Sequence, residues 1–228
     1  MDNIKVIGFD ADDTLWVNEP NFQNTEKDFC TLLKNYLPEG IVSEELLKTE
    51  MSNLSLYGYG AKGFVLSMIE TMIRITNNSA SLELVQKIIQ LGKELLQKPV
   101  ELLDGVEDVL AKLSNHYRVI MATKGDLLDQ ERKLRNSGLE KYFHHIEIMS
   151  DKKLIDYSKL LDHINCKPEN FLMVGNSLKS DIIPVLELGS SAVHVPFHIT
   201  WTHETVETEI VNPNFREIKS IIELLEIL

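Results

Sequence analysis

Short apolar runs alternate with amphipathic stretches along much of the chain. The runs are rich in Val, Ile, Met and Phe, which is typical of strands buried on both faces of a parallel sheet. They lie at 4–9, 118–123, 146–149, 171–175 and 192–195. Helical spacing predicts helices at 105–113, 127–137, 157–164 and 178–188, and an amphipathic closing helix at 215–228. Strands separated by helices predict an α/β fold with a doubly wound, parallel, Rossmann-like sheet and right-handed crossovers.

The stretch 17–99 departs from this alternation because it contains no convincing strand. Its apolar positions follow helical spacing at 22–36, from 43 onwards, at 64–75 and at 82–96. Pro38 and Gly40 are expected to break the first helix from the second. This pattern predicts an all-helical cap at 17–99, inserted into a Rossmann-like catalytic core formed by 1–16 and 100–228. The alternative is an ordinary helical lobe with no role in chemistry.

A glycine-rich segment, Tyr57-Gly58-Tyr59-Gly60-Ala61-Lys62-Gly63, lies inside the helical block. Three glycines indicate a flexible or tightly turned loop. Tyr57, Tyr59 and Lys62 are therefore candidates to contact a substrate. The alternative is a plain connection between helices, with tyrosines that pack locally.

The first apolar run ends abruptly in an acidic segment, Asp10-Ala11-Asp12-Asp13-Thr14. Ligands of open α/β sheets bind at the carboxyl ends of the strands, where this segment lies. Two carboxylates so close repel each other unless a cation or a shared proton intervenes. The segment therefore favours a Mg²⁺-dependent site with Asp10 as nucleophile and Asp12 as acid/base. The alternative is a polar turn that caps a helix.

Two further apolar runs end in residues of suitable chemistry. Thr123 closes one of them, and its hydroxyl with the following N–H groups can hold phosphate oxygens. Asn176 follows another run, and Asp181 lies five residues further on. Both can offer the hard oxygen ligands that Mg²⁺ prefers, Asp181 directly or through a water. The alternative for this last segment is a helix N-terminus that Asn176 caps.

In this order, the segments resemble the motifs of the haloacid dehalogenase-like (HAD) superfamily, in its phosphatase form with two aspartates separated by one residue. The resemblance implies that Asp10 attacks phosphorus and forms an aspartyl-phosphate, and that Asp12 protonates the leaving oxygen and later activates water. It implies Mg²⁺ ligation by Asp10, the backbone carbonyl of Asp12, Asn176 and Asp181. Thr123 would orient the phosphoryl group. Asn176 replaces a more frequent aspartate, which removes one negative charge from the metal shell but no ligand.

The family also places a lysine shortly before the helix that precedes its last motif. Such a cation relieves the repulsion between the attacking carboxylate and the phosphoryl group. Counting back from Tyr157 favours Lys152, with Lys153 as the close competitor and Lys159 on the helix itself. The proline that usually follows this lysine is absent.

Composition limits the possible partners and compartments. The 228 residues include 35 acidic and 23 basic residues, for a net charge of −12. This charge opposes binding to nucleic acid or to an anionic membrane surface. Two cysteines are too few for a disulfide framework, and no apolar run reaches membrane-spanning length. We therefore expect a cytoplasmic protein that acts on a small phosphorylated metabolite.

The three histidines in or after the final predicted apolar run are not expected to bind metal. His194, His198 and His203 match no zinc spacing, and His194 is expected to point out of its strand. His144 and His145 are expected to precede a strand and to be exposed.

The function implied by the resemblance is that of a Mg²⁺-dependent phosphatase. One alternative is a phosphomutase of the β-phosphoglucomutase type, which the motifs do not separate from a phosphatase. Another is a catalytically weak module that binds phosphorylated ligands, for which Asn176 is the only argument. Dehalogenation is disfavoured because similar dehalogenases lack the second acid, which is present here as Asp12.

Overall fold

The computed structural model describes residues 3–206 and 209–228, and the chain forms two compact units. The first unit comprises residues up to Glu19 together with Val100–Lys124 and Gln130–Leu228. The second unit comprises Pro20–Pro99 and Gly125–Asp129. Within the described residues, no helix combines the length and apolar character that crossing a membrane requires.

A six-stranded sheet forms the centre of the first unit, and all of its neighbouring strands pair in parallel. The strands are β1 Val6–Phe9, β2 Arg118–Lys124, β3 His145–Met149, β4 Phe171–Gly175, β5 Ser191–His194 and β6 Phe215–Glu217. Their order across the sheet is β3-β2-β1-β4-β5-β6. The predicted α/β class with a doubly wound parallel sheet is therefore confirmed.

The helices, in chain order, are α1 Glu19–Leu33, α2 Glu39–Tyr57, α3 Ala61–Ile75, α4 Leu82–Leu96, α5 Val106–Leu113, α6 Leu127–Ser137, α7 Leu154–His163, α8 Ile183–Glu187 and α9 Leu224–Ile227. A π-helical turn, Leu178–Ile182, precedes α8. The predicted bounds of α4, α6 and β4 are confirmed to the residue.

Alternation along the strands produces two separate cores, one on each face of the sheet. In β1, Ile7 and Phe9 contribute to one core, and Val6 contributes to the other. The first core includes the inward side of α5, and the second includes the inward side of α7. Burial on both faces explains why these strands are continuous apolar runs.

The second unit has its own core, in which α1 to α4 contribute apolar side chains such as Phe29, Leu46 and Met68. The helix α2 begins at Glu39, four residues before the predicted start at 43. Pro38 precedes the first helical residue, where its fixed φ suits a helix start, and Gly40 lies in the first turn instead of breaking the helix.

The prediction of one closing helix over 215–228 is wrong. Phe215–Glu217 forms β6, which extends the sheet by pairing with β5. Only the short 3₁₀ turn Ile221–Glu223 and α9 come after it. The apolar spacing is misleading here. Ile218, Ile221 and Leu224 all pack onto one core, although they do not lie on one continuous helix. The strand predicted as the last one, at 192–195, corresponds to β5 and is followed by β6.

Candidate active site

The polar residues predicted for the site follow three adjacent strands at the carboxyl edge of the sheet. Asp10 follows β1, Asn176 follows β4, and Thr123 lies near the end of β2. The chain crosses from one side of β1 to the other between β3 and β4, which opens a crevice at this edge. The β1 loop is tied to β4 by the Asp10 amide, which donates to the Val174 carbonyl at 2.9 Å.

A buried ion cluster is formed by Asp10, Lys152 and Asp181. The Lys152 ammonium donates to Asp10 Oδ1 and, at 2.7 Å, to Asp181 Oδ1. Lys152 is 3% exposed, whereas the competing Lys153 is exposed and pairs with Asp151. The structure therefore brings Lys152, and not Lys153, to the first aspartate.

The cluster shifts the pKa values of Asp10 and Lys152. Burial and the negative charge of Asp181 raise the pKa of Asp10 to about 7, although the Lys152 ammonium acts in the opposite direction. Burial works against the charged form of Lys152, but the two carboxylates outweigh it and hold the pKa of Lys152 above its usual range. The cluster is thus a fixed cation between two acids.

Thr14 and Asn176 connect Asp10 to the loop after β4. Thr14 Oγ1 donates to Asp10 Oδ2 at 3.0 Å and accepts from the Asn176 backbone N–H at 3.1 Å. In the amide orientation that satisfies its neighbours, Asn176 Nδ2 lies 3.2 Å from Asp10 Oδ2 and from the Asp12 carbonyl oxygen. Three of the four groups predicted as metal ligands, namely Asp10, the Asp12 carbonyl and Asn176, therefore lie close together.

These distances suit Mg²⁺. Oxygen ligands at about 2.1 Å from one Mg²⁺ ion lie about 3 Å from each other. An Asn176 amide that turns its oxygen inwards would complete a set of oxygens with Asp10 and the Asp12 carbonyl. Asp181 lies beside this set, with Oδ1 on Lys152 and Oδ2 accepting from the Ser177 N–H at 3.0 Å. Through these residues the site can hold a hard divalent cation.

Gly175 makes room for Asp181. A Cβ atom at this position would lie 2.3 Å from Asp181 Oδ2, so any side chain there would displace the carboxylate. The π-helical turn that carries Asp181 begins at Leu178, and Ser177 caps this turn by accepting from the Ser180 N–H. The strand end and the turn together fix the position of Asp181.

Asp12 lies in a different environment from Asp10. Its Oδ1 accepts from Trp16 Nε1 at 2.7 Å and from Lys133 Nζ at 2.6 Å, and its Oδ2 accepts from Gln130 Nε2 at 2.9 Å. Gln130 and Lys133 were missed by the sequence reasoning. They lie on α6, and no local motif marks them, although they occupy helix positions three apart and so share one face.

Gln130 also holds Thr123. Its Nε2 donates to Thr123 Oγ1 at 3.1 Å as well as to Asp12, and Thr123 is 1% exposed. One buried amide therefore positions the predicted acid/base and the predicted phosphate-binding hydroxyl. Within the described residues, Gln130 Oε1 is buried without a hydrogen-bond partner.

Asp13 supports the turn that the acidic segment makes. It has a φ of 60°, and its carboxylate accepts from the backbone N–H groups of Asn18 and Glu19 at the start of α1. Burial raises the pKa of Asp13 to about 7. The alternative of a helix-capping turn thus describes Asp13, while Asp10 and Asp12 contact other groups.

A second ion cluster, also missed, lies next to the π-helical turn. Glu204 accepts from Lys124 and from Ser180 Oγ, the latter at 2.6 Å, and it also contacts Ser177. Burial opposes ionisation of Glu204, but the Lys124 charge and these hydrogen bonds lower its pKa to about 2. Lys124 is therefore paired with an acid.

The candidate substrate residues lie in the second unit, where Tyr57 and Lys62 contact acidic residues. Tyr57 ends α2 and donates to Glu70 Oε1 at 2.9 Å. Lys62 pairs with Asp126 at 2.9 Å. The loop is shorter than predicted, because α3 already begins at Ala61. A substrate role for Tyr57, Tyr59 and Lys62 stays a prediction.

The expectations for two histidines are wrong. His194 does not point outwards: it is 7% exposed and contacts the Asn176 carbonyl and Glu217. Glu217 lies on the neighbouring strand β6, and Asn176 follows the neighbouring strand β4, so His194 is held between groups of both strands. His145 does not precede a strand but opens β3, where it is half-buried.

A parallel α/β sheet that carries two aspartates and a buried lysine at the carboxyl ends of its strands is typical of one class of hydrolases. The family model described as haloacid dehalogenase-like hydrolase matches residues 4–189. The chain therefore belongs to the haloacid dehalogenase-like hydrolase family.

Comparison with solved structures found proteins of similar fold. A haloacid dehalogenase-like family hydrolase from Xanthomonas campestris is 38% identical, with a TM-score of 0.88 over 97% of this chain and 88% of that chain. An L-2-haloacid dehalogenase from Xanthobacter autotrophicus, with chloropropionic acid covalently bound, is 13% identical, with a TM-score of 0.67 over 98% of each chain. The second likeness shows the fold alone.

A curated relative carries a more specific name. A glyceraldehyde 3-phosphate phosphatase from Methanothermobacter thermautotrophicus is 30% identical over 92 residues, which are 38% of this chain and 41% of that protein. The chain thus spans about two fifths of the length of the curated relative it matches. The relative is a phosphatase, and the present chain is a hydrolase of the same broad class.

Proposed function

We propose that this protein is a Mg²⁺-dependent phosphatase that hydrolyses a small phosphomonoester through an aspartyl-phosphate on Asp10. The observation that carries the proposal is the buried cluster in which Lys152 contacts both Asp10 and Asp181. A cation fixed beside a nucleophilic carboxylate reduces its repulsion from an incoming phosphoryl group. The phosphatase among the relatives supports the same reaction class.

Mg²⁺ would be held by Asp10, the Asp12 carbonyl, Asn176 and Asp181, and it would supply positive charge to the phosphoryl oxygens. The residues of the chain carry the bond changes. In the first step, Asp10 attacks phosphorus, the bond from phosphorus to the leaving oxygen breaks, and Asp12 gives that oxygen a proton. In the second step, Asp12 takes a proton from water, the water oxygen attacks phosphorus, and the Asp10 carboxylate is released.

The contacts of Asp12 suit this exchange of protons. Trp16, Gln130 and Lys133 aim the Asp12 carboxylate and hold it off the Asp10 cluster. A leaving oxygen must approach a carboxylate oxygen that one of these donors contacts. We infer that one of these hydrogen bonds to Asp12 breaks when the substrate binds, and that the others keep the carboxylate aligned. Thr123, held by Gln130, would orient the phosphoryl group.

Phosphate release from a panel of small phosphomonoesters tests the proposal. Glyceraldehyde 3-phosphate is placed in the panel because of the name of the curated relative. Wild type, Asp10→Asn and the exposed-site control Asp108→Asn are assayed with Mg²⁺ and with EDTA. We expect release that needs Mg²⁺, that survives in Asp108→Asn and that is lost in Asp10→Asn.

The same assay separates the alternatives. Isomerised sugar phosphate without free phosphate would indicate a phosphomutase. Turnover by Asp10→Asn equal to that of wild type would contradict the proposal. Tight phosphate-ester binding with no turnover of any ester by the folded, Mg²⁺-loaded wild type would indicate a binding module.

A further inference from the structure

Two histidines and one glutamate meet on the edge strand of the sheet. They are His145 and Glu147 on β3 and His163 at the end of α7, and we name them the His–Glu–His cluster. None of the three contacts the Asp10 site. Their ligand atoms, one from each side chain, all lie within 4.8 Å of one another.

The strand geometry explains why these residues meet. Residues two apart on a strand point to the same face, so His145 and Glu147 share a face with Met149. Met149 belongs to the core that α7 covers through Leu160 and Leu161. The helix α7 starts after the carboxyl end of β3 and runs back along the sheet, which brings its last residue, His163, to the level of His145 and Glu147.

The side chains are already arranged around one carboxylate oxygen. Glu147 Oε2 lies 2.8 Å from His145 Nε2 and 3.5 Å from His163 Nδ1. The two imidazole rings meet edge to face, with centroids 5.3 Å apart. Ligands about 2.1 Å from one tetrahedral ion lie about 3.4 Å apart, so the 3.5 Å pair needs little movement and the 2.8 Å pair must open slightly.

We propose that the His–Glu–His cluster is a binding site for one Zn²⁺ ion. Two imidazole nitrogens and one carboxylate oxygen are a ligand set that suits Zn²⁺, with water in the remaining position. The same set is poor for Mg²⁺, which prefers oxygen ligands. The carboxylate-rich site at Asp10 suits Mg²⁺ when that ion is in large excess, so the two sites can be tested separately.

The site is separate from the catalytic edge of the sheet. His145 opens β3, and the four residues that follow it to Met149 place it about 13 Å from the carboxyl end of the strand. An ion bound there would join the edge strand to the C-terminal end of α7. It would therefore stabilise the fold at that edge rather than take part in hydrolysis.

Calorimetric titration of Zn²⁺ into the 228-residue chain tests the site. The protein is first stripped with EDTA and then placed in saturating Mg²⁺, which fills oxygen-rich sites. We expect one equivalent of Zn²⁺ to bind, and a rise in the thermal midpoint as it does. Because loss of even a supporting residue weakens metal sites about 10-fold to 100-fold, His163→Gln should weaken binding at least 10-fold.

Matched variants make the result specific. His163 ends its helix with 69% of its side chain exposed, so His163→Gln is expected to fold normally. His116→Gln, at another exposed histidine, should bind Zn²⁺ as wild type does, and so should Asp10→Asn. Zinc-edge X-ray absorption should show two imidazoles in wild type and one in His145→Gln.

Three outcomes would overturn the proposal. The first is an absence of Zn²⁺ binding by wild type, and the second is binding by His163→Gln and His145→Gln that equals wild type. The third is binding lost in Asp10→Asn but kept in His163→Gln, which would assign the ion to the catalytic edge. None of these outcomes depends on whether the protein is a phosphatase.

Discussion

Asp10 and Asp12 are two residues apart, but their side chains differ in burial and in the groups that they contact. Asp10 is buried against a charged lysine and a second acid, with its pKa raised to about 7. Asp12 is less buried and accepts hydrogen bonds from a tryptophan, a glutamine and a lysine. The ion cluster would hold the direction of Asp10, the proposed nucleophile, whereas the three donors would align Asp12, the proposed acid/base.

The largest expected effect is on turnover, and it tests the difference between Asp10 and Asp12. We expect Asp10→Asn to lower kcat by about 10⁴-fold or more, because an amide cannot form the covalent intermediate. Asp12→Asn should lower it by about 10²-fold to 10⁴-fold, the usual contribution of general acid–base catalysis. Steady-state kinetics with the best substrate measures both. An activated ester has a leaving group that needs no proton. If Asp10→Asn and Asp12→Asn lost equal activity on such an ester, the proposed difference between their roles would be contradicted.

The second effect is on stability. Lys152→Met leaves Asp10 and Asp181 buried without their cation, and we expect it to lower the free energy of unfolding by about 3–5 kcal/mol at neutral pH. The loss should shrink as pH falls below about 7, because the raised pKa of Asp10 lets that buried carboxylate take up a proton. Urea unfolding at several pH values measures it. Lys153→Met, at the exposed neighbour, is the control and should change little; an equal loss in both would contradict the ion cluster.

A smaller effect is expected at the donors to Asp12. Lys133→Met should lower kcat by about 10-fold to 100-fold, since a misaligned acid/base loses part of its contribution. The free energy of unfolding should change little, because Lys133 is part-exposed. The exposed Lys112→Met on α5 serves as control. A purely structural role would appear as lost stability, with kcat and its pH profile unchanged in the folded fraction.

The smallest effect concerns pH. The pKa of Asp10 is raised, so below about pH 7 this carboxyl carries a proton that a bound cation must displace. Apparent Mg²⁺ affinity should therefore fall by up to about tenfold for each pH unit below about 7 and level off above it. The Mg²⁺ concentration at half-maximal thermal shift, measured from about pH 5.5 to about pH 8, checks this. A flat dependence would show that Asp10 is ionised throughout.

The two environments differ in how far the sequence can predict them. Asp10, Thr123 and Asn176 each lie at the end of an apolar run, so their meeting at one sheet edge follows from strand direction alone. The contact of Lys152 with Asp10 needed the family resemblance as well. Gln130 and Lys133 reach Asp12 from a helix more than a hundred residues away, and only tertiary packing brings them there.

The fold shows the same limit at its periphery. The inner strands are identified by continuous apolar runs, but β6 has one apolar residue, the half-buried Phe215, and its other two residues are exposed. A short edge strand carries little periodicity, and its pairing with β5 is what makes it a strand. The helix spacing of Ile218, Ile221 and Leu224 therefore gave a misleading pattern.

The wide turn at Leu178–Ile182 makes the site sensitive to chain length. A π-helical turn holds more residues than an α-helical turn, because its hydrogen bonds span one residue more. Deleting one residue between Ser177 and Asp181 would let the turn tighten, and each residue removed rotates the next side chains by about 100° around the helix axis. Asp181 would then swing away from Lys152, so this part of the chain should tolerate substitution far better than a change of length.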